Sequence, residues 1–168
     1  VMNEGGGGGG LEVSWRLGGG DWEPLSADIL RPPPTDSPPA GLYFEAYVTS
    51  SNNRPTLGTI LDTVLDPVWN SWIPNVAHPA LNQDIWYSND DAFVREIPFF
   101  NSNDDFYMRW RGMIVIETDG SYDFKTRSDD GSFLYIDGVQ IVNNDGWHGM
   151  RDRDGSATLA AGQHSITI

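Results

Sequence analysis

Two carboxylates stand side by side at Asp129-Asp130, inside the run Thr126-Arg-Ser-Asp-Asp-Gly-Ser-Phe-Leu-Tyr-Ile-Asp-Gly138. Beyond Arg127 this loop offers no basic residue to neutralise them, so their charges repel unless a cation is shared. The cation suited to such oxygens is calcium, which takes six to eight oxygen ligands at about 2.3–2.6 Å from carboxylates, backbone carbonyls and water. The plain alternative is a pair of turn carboxylates bonded to backbone amides. Asn143, Asn144 and Asp145 make a second oxygen-rich turn ahead of Gly146-Trp147-His148-Gly149. That turn reads equally as a ligand set or as a tight bend. His148 has no acidic partner at triad spacing, so a structural hydrogen bond is its expected role. Asp90-Asp91 and Asp104-Asp105 repeat the paired pattern and read as solvated loop charges. Catalysis finds little support. A glycosidase needs two carboxylates in different environments across a cleft, and nothing singles out such a pair. No nucleophile elbow, phosphate loop or His-x-x-x-His metal motif occurs either.

The elements that must hold these residues read as short strands. Segments 113–117 and 121–126 are split by Asp119-Gly120, and 133–136 and 139–142 by Asp137-Gly138. Each Asp-Gly pair reads as a hairpin turn, because Gly supplies the positive φ such turns need. Residues 106–110 carry strand character into the first of these. Leu11-Glu-Val-Ser-Trp15 alternates with period two, and 41–47 reads as an opening strand. Between 48 and 100 the pattern is broken by five prolines and Asn52-Asn53, with Trp69, Trp72 and Trp86 between them. Long loops are expected there, with the aromatics tucked onto the body; 59–64 reads as a short helix or a strand. Arg31-Pro-Pro-Pro-Thr-Asp-Ser-Pro-Pro-Ala40 has five prolines in ten residues, a semi-rigid spacer and the clearest boundary in the chain. Thr35 and Ser37 beside prolines are O-glycosylation positions by composition.

At 168 residues the chain fits one domain with a sizeable core. Asp and Glu outnumber Lys and Arg by 24 to 10, for a net charge of −14. With no basic cluster, nucleic acid and anionic membrane are excluded as expected partners, since both require a positive footprint. There is no cysteine, hence neither a disulfide framework nor a thiolate metal site. No apolar run approaches the ~20 residues of a membrane span, and no signal-peptide pattern occurs. The chain begins at Val1 rather than an initiator Met, so it reads as a processed or excerpted piece.

The series Gly120-Ser-Tyr-Asp-Phe124, Ser128 to Gly138, Asn144-Asp-Gly-Trp-His-Gly149 and Leu159-Ala-Ala-Gly-Gln-His-Ser-Ile-Thr-Ile168 resembles the anthrax protective-antigen-type β-sandwich module. The resemblance implies an all-β, antiparallel, Greek-key sandwich with a long irregular loop insertion. In the lectin members of that family two adjacent aspartates joined by a cis peptide hold calcium, which holds sugar hydroxyls; Asp129 and Asp130 match that pair. The Gly-rich loop, Leu-x-Val-x-Trp and Pro-Leu-x-x-x-x-Leu of residues 5–30 belong, in the family, after the Ala-Gly-x-His-x-Ile strand. The order here is circularly shifted. Residues 1–30 are thus expected to complete the module of the same or a neighbouring copy, 31–40 to link, and 41–168 to form the main body. A circular permutant, one period of a tandem repeat and a subunit that donates its terminal strands all remain open. By position in the fold, Asn3, Glu4, Gly5, Gly6 and the rest of the glycine tract face the Asp pair, and Asn144, Asp145 and Trp147 are further ligand or sugar contacts. The function expected first is an extracellular or cell-surface, non-catalytic, calcium-binding subunit. It repeats in a filament, surface fibre or large adhesin, its copies assembled head to tail by segment exchange. The alternative is a calcium-dependent carbohydrate-binding lectin or adhesin domain, with glycans as partners; an accessory domain of an enzyme ranks third.

Overall fold

The structure, a computed structural model, describes residues 2–4, 9–26, 29–31, 41–48, 69–74, 86–87, 89, 91 and 106–168. Its strands are β1 Met2–Glu4, β2 Gly10–Leu17, β3 Glu23–Pro24, β4 Leu30–Arg31, β5 Gly41–Val48, β6 Trp69–Pro74, β7 Trp86–Tyr87, β8 Phe106–Ile116, β9 Gly120–Asp129, β10 Ser132–Ile136, β11 Val139–Asn144, β12 Arg151–Leu159 and β13 Gly162–Thr167. Among the described residues they form two antiparallel sheets. The larger runs β1-β10-β13-β8-β5-β6, with β11 on β10 and β4 on β8; the smaller runs β12-β9-β2-β3, with β7 on β2.

Period-two patterning explains how the sheets face each other. On β8, Phe106, Met108, Trp110, Ile114 and Ile116 are buried in the core, while Arg109 and Arg111 take alternate positions. They meet Leu11 and Val13 of β2 and Tyr122 and Phe124 of β9 across the sandwich. Trp15 stacks on Tyr122 with ring centroids 5.4 Å apart. The reverse face of the larger sheet is covered too. Tyr47, Tyr107, Phe133 and Tyr135 form a second buried cluster. Beside it Arg109 clamps the buried Glu45 through two bonds of 2.6 and 2.9 Å, and Arg111 adds bonds of 3.0 and 3.2 Å.

The two Asp-Gly pairs differ. Asp137 at φ 50° and Gly138 at φ 75° close the β10–β11 hairpin as expected. Asp119-Gly120 makes no hairpin, because β8 and β9 lie in different sheets. Its glycine serves packing instead: a Cβ on Gly120 would lie 2.6 Å from Leu17 Cδ1. Within the irregular 48–100 stretch, β6 pairs with β5 and β7 with β2; segment 59–64 lies outside the described residues.

The head of the chain joins its tail in one ladder. Thr167 pairs with Arg111 on β8, and Ile168 exchanges backbone hydrogen bonds of 2.8 and 2.9 Å with Trp110. Met2, Asn3 and Glu4 then pair with Met108, Tyr107 and Phe106. One register position, opposite Arg109, separates Ile168 from Met2. The other neighbour agrees: on β10, Thr167 is opposite Tyr135 and Met2 opposite Ser132, again three residues along. The tail and β1 therefore run in unbroken register on two strands at once. Residues 2–31 supply strands to both sheets, β1 and β4 to the larger and β2 and β3 to the smaller.

Candidate functional site

One end of the sandwich gathers the connections that the sequence marked out. β9 ends at Asp129 and β10 begins at Ser132, so Asp130 and Gly131 carry the chain from the smaller sheet to the larger. The Asp129-Asp130 peptide bond is cis. Two further connections are anchored on the same strands. β1 pairs with Ser132 through Met2, and β2 opens at Gly10 opposite Asp129. β1 thus ends at Glu4 opposite Phe106 of β8, and β2 begins beside Asp129. The third connection, 145–150, passes from β11 to β12.

This third loop grips the aspartates by backbone amides. The His148 amide donates to Asp130 Oδ1 at 2.9 Å, and the Met150 amide donates to the Asp129 carboxylate. Gly131 allows the close fit, since a Cβ there would meet the Gly146 nitrogen and oxygen at 3.2 and 3.3 Å. The Asp145 amide donates to Asn143 Oδ1 at 3.1 Å, tightening the start of the loop. The imidazole of His148 lies between two carbonyl oxygens, 3.0 Å from Gly149 O and 3.1 Å from Asn144 O. A structural hydrogen bond is the role expected from the sequence for this residue, and both ring nitrogens are within hydrogen-bonding distance of backbone carbonyls. Trp147 stands 57% exposed at the crest of the loop, with Met150 also exposed nearby.

Burial first, and the neighbouring Asp130 charge second, push the Asp129 carboxyl above its usual range; His148 and the Met150 amide pull the other way. Among the described residues no ion pair includes Asp129. Two hard carboxylates under mutual repulsion, partly withdrawn from water, fit a divalent cation by charge and donor type. Among the described residues no third Asp, Glu or His joins them in a metal-holding group. Among the described residues, further oxygens for such a cation would come from backbone carbonyls.

The expected contacts separate on inspection. Asp145 is exposed and Trp147 faces solvent beside the pair, whereas Asn144 is fully buried with its amide turned into the sandwich. The backbone of Asn3 and Glu4 lies on β8, opposite Tyr107 and Phe106; Gly5 and Gly6 lie outside the described residues. The sequence reading missed the amides of His148 and Met150 and the pairing of Gly10 with Asp129. It also missed the buried set Ser128, Ser132 and Asn144, to which the half-buried Arg151 is bonded. Alternation carried a signal for part of it, since Asn144 stands two residues after the buried Val142 and so shares its inward face.

A model of the PA14 domain family matches residues 74–166, more than half of the chain. The chain belongs to the PA14 domain family. In fold this PA14 domain is similar to a β-glucosidase from Kluyveromyces marxianus solved in complex with glucose, at 15% identity and a TM-score of 0.52, over 90% of this chain and 16% of that one. It is also similar to an anti-sigma factor domain-containing protein at 19% identity and a TM-score of 0.48, over 93% of this chain and 47% of that one. The PA14 domain spans less than half the length of either relative, and at these identities the likeness is one of fold. No curated protein matches its sequence.

Proposed function

We propose that this PA14 domain is an extracellular, non-catalytic, adhesin-type module that binds glycans through calcium held by Asp129 and Asp130. The observation that carries the reading is the Asp pair itself, fixed at the sandwich end by the amides of His148 and Met150 with Trp147 exposed beside it. Calcium there would supply a Lewis-acidic centre whose water positions a pair of sugar hydroxyls can take over. An exposed indole next to such a centre suits the apolar face of a sugar ring. The two carboxylates are neighbours in one loop, unlike the opposed acid and base or nucleophile of a glycosidase, which supports a binding role over hydrolysis. The similar β-glucosidase was solved with glucose, and an accessory sugar-binding role within a larger protein is compatible with the small share of that chain which this domain covers. The test is glycan-array and calorimetric binding with calcium or with chelator. Binding in calcium alone supports the reading, and chelator-resistant binding contradicts it.

A second reading rests on the ladder. The unbroken register from Ile168 to Met2 supports copies that follow one another head to tail, each head completing the sandwich of the copy before it, as in a fibre or a large adhesin. Glu12 and Arg127 are register partners between head and body, and the chain has no native cysteine. Cysteines at both positions would form chain-to-chain disulfide ladders on a non-reducing gel under segment exchange, and a single internally bridged band under self-closure.

A further inference from the structure

Directly beneath the Asp loop lies a set of buried polar side chains that the calcium reading leaves without a role. Thr126, Ser128, Ser132 and Asn144 are all fully buried. Ser132 Oγ donates to Thr126 Oγ1 at 2.9 Å and lies 2.7 Å from Ser128 Oγ. The Asn144 amide nitrogen donates to Ser128 Oγ and to the Arg151 carbonyl, each at 3.0 Å. Its oxygen accepts from Arg151 Nε at 2.8 Å, and Arg151 Nη2 reaches the Asp145 carbonyl at 2.9 Å. One amide thereby ties together the ends of β9, β10, β11 and β12. These ends are the roots of both loops at the site: Ser128 precedes Asp129, Ser132 follows Gly131, and Asn144 and Arg151 bracket 145–150.

A packed apolar group would serve a sandwich end at least as well if stability were the only demand, because buried polar groups bring desolvation that their hydrogen bonds must offset. What hydrogen bonds add is direction. They fix the separation and angle between the strand ends from which the aspartates and their amide donors project. We infer that Asn144, acting with Arg151, is a positioning residue for calcium: it holds the 129–131 and 145–150 loops in the relative placement that lets Asp129 and Asp130 share one ion. This rests on the calcium reading above. It assigns Asn144 no contact with the ion.

The experiment is calorimetric titration of calcium chloride into the full chain carrying Asn144→Ser, Arg151→Gln or Leu159→Ala, with the thermal midpoint of each apo protein measured in parallel. Leu159 is a buried apolar residue paired with Gly120, at the far end of β9 from Asp129. Its truncation therefore controls for loss of stability alone. The expected result is a 10- to 100-fold rise in the calcium Kd for Asn144→Ser and Arg151→Gln, the range typical of groups that orient metal ligands, with the Kd of Leu159→Ala within twofold of wild type. Should Asn144→Ser fail to fold, Arg151→Gln, altered at a half-buried side chain, carries the comparison. Equal Kd values in wild type and both site variants would overturn the inference, as would an equal rise in Leu159→Ala. A wild-type chain that gives no calcium heat removes the calcium reading itself, an outcome distinct from failure of the positioning role alone.

Discussion

Asp137 sits at φ 50°, a backbone region that Asp and Asn tolerate better than most side chains, and its carboxylate turns that strain-prone corner into a latch. Oδ1 accepts from the Ser165 amide at 2.8 Å and Oδ2 lies 2.6 Å from His164 Nδ1, while His164 Nε2 faces the Ala160 carbonyl at 2.8 Å. The hydrogen bond to Asp137 is the main force raising the His164 value, with burial opposing and the Ala160 carbonyl and the Asp137 charge assisting. A raised histidine contributes stability fully below its unfolded value of about 6.5 and loses it as pH climbs through the folded value. Burial alone would raise Asp137, but the His164 and Ser165 bonds outweigh it and lower the carboxyl. Its contribution is present above the ordinary carboxylate range and is lost as pH falls through the lowered value. The thermal midpoint should therefore fall as pH rises from about 6.5 through the raised His164 value, by the equivalent of about 0.2–1 kcal/mol, the worth of a partly exposed pair. His164→Gln should flatten that limb in a melting series from pH 5 to 9. The opposite electrostatics hold at Asp129, raised by burial and by Asp130. Asp129→Asn should leave the apo protein melting at or above wild type while removing calcium stabilisation, so the two melts are to be compared with and without the ion.

At the scale of elements, close approach decides more than propensity. A Cβ on Gly155 in β12 would overlap the Ile141 carbonyl oxygen and lie 2.9 Å from its carbon, so the margin of the smaller sheet presses on β11 of the larger. Gly155→Ala should cost about 1–3 kcal/mol by overpacking, read as a drop in the denaturation midpoint. Between β5 and β8, Glu45 is clamped by two arginines; Glu45→Gln removes the buried charge that Arg109 pairs with and should cost about 3 kcal/mol in urea unfolding. Legibility followed the same division. Asp137-Gly138 was readable because positive φ is a local demand, and the Asp129-Asp130 loop stood out because its two carboxylates are adjacent in the sequence. Asp119-Gly120 looked identical but changes sheets, and the side chain that its glycine clears, Leu17, lies over a hundred residues away in sequence. Asn144 read equally as a ligand or as part of a tight bend, because Asn143, Asn144 and Asp145 have the composition of a turn. Only its phase relative to Val142 turns it inward, where Arg151 and Ser128 complete its bonding.

On the whole-molecule scale the chain is a sandwich of net charge −14 whose two ends abut within one strand position. The register makes a direct prediction: joining Ile168 to Val1 by a peptide bond and opening the chain within 32–40 should give a cooperatively folded monomer melting no lower than the parent. A broad or missing transition would show that the ladder needs free ends. A shifted order of elements is what the sequence leads one to expect, and which copy's body the head completes was beyond sequence, since either copy's head satisfies the same pattern. Asp129 and Asp130 are proposed to hold calcium for sugar recognition, a role that rests on their placement at the sandwich end. Its most direct test is a calorimetric calcium titration of the wild-type chain beside Asp129→Asn: one saturable calcium per chain, lost in the variant, is the predicted result, and identical titrations of the two proteins would contradict it.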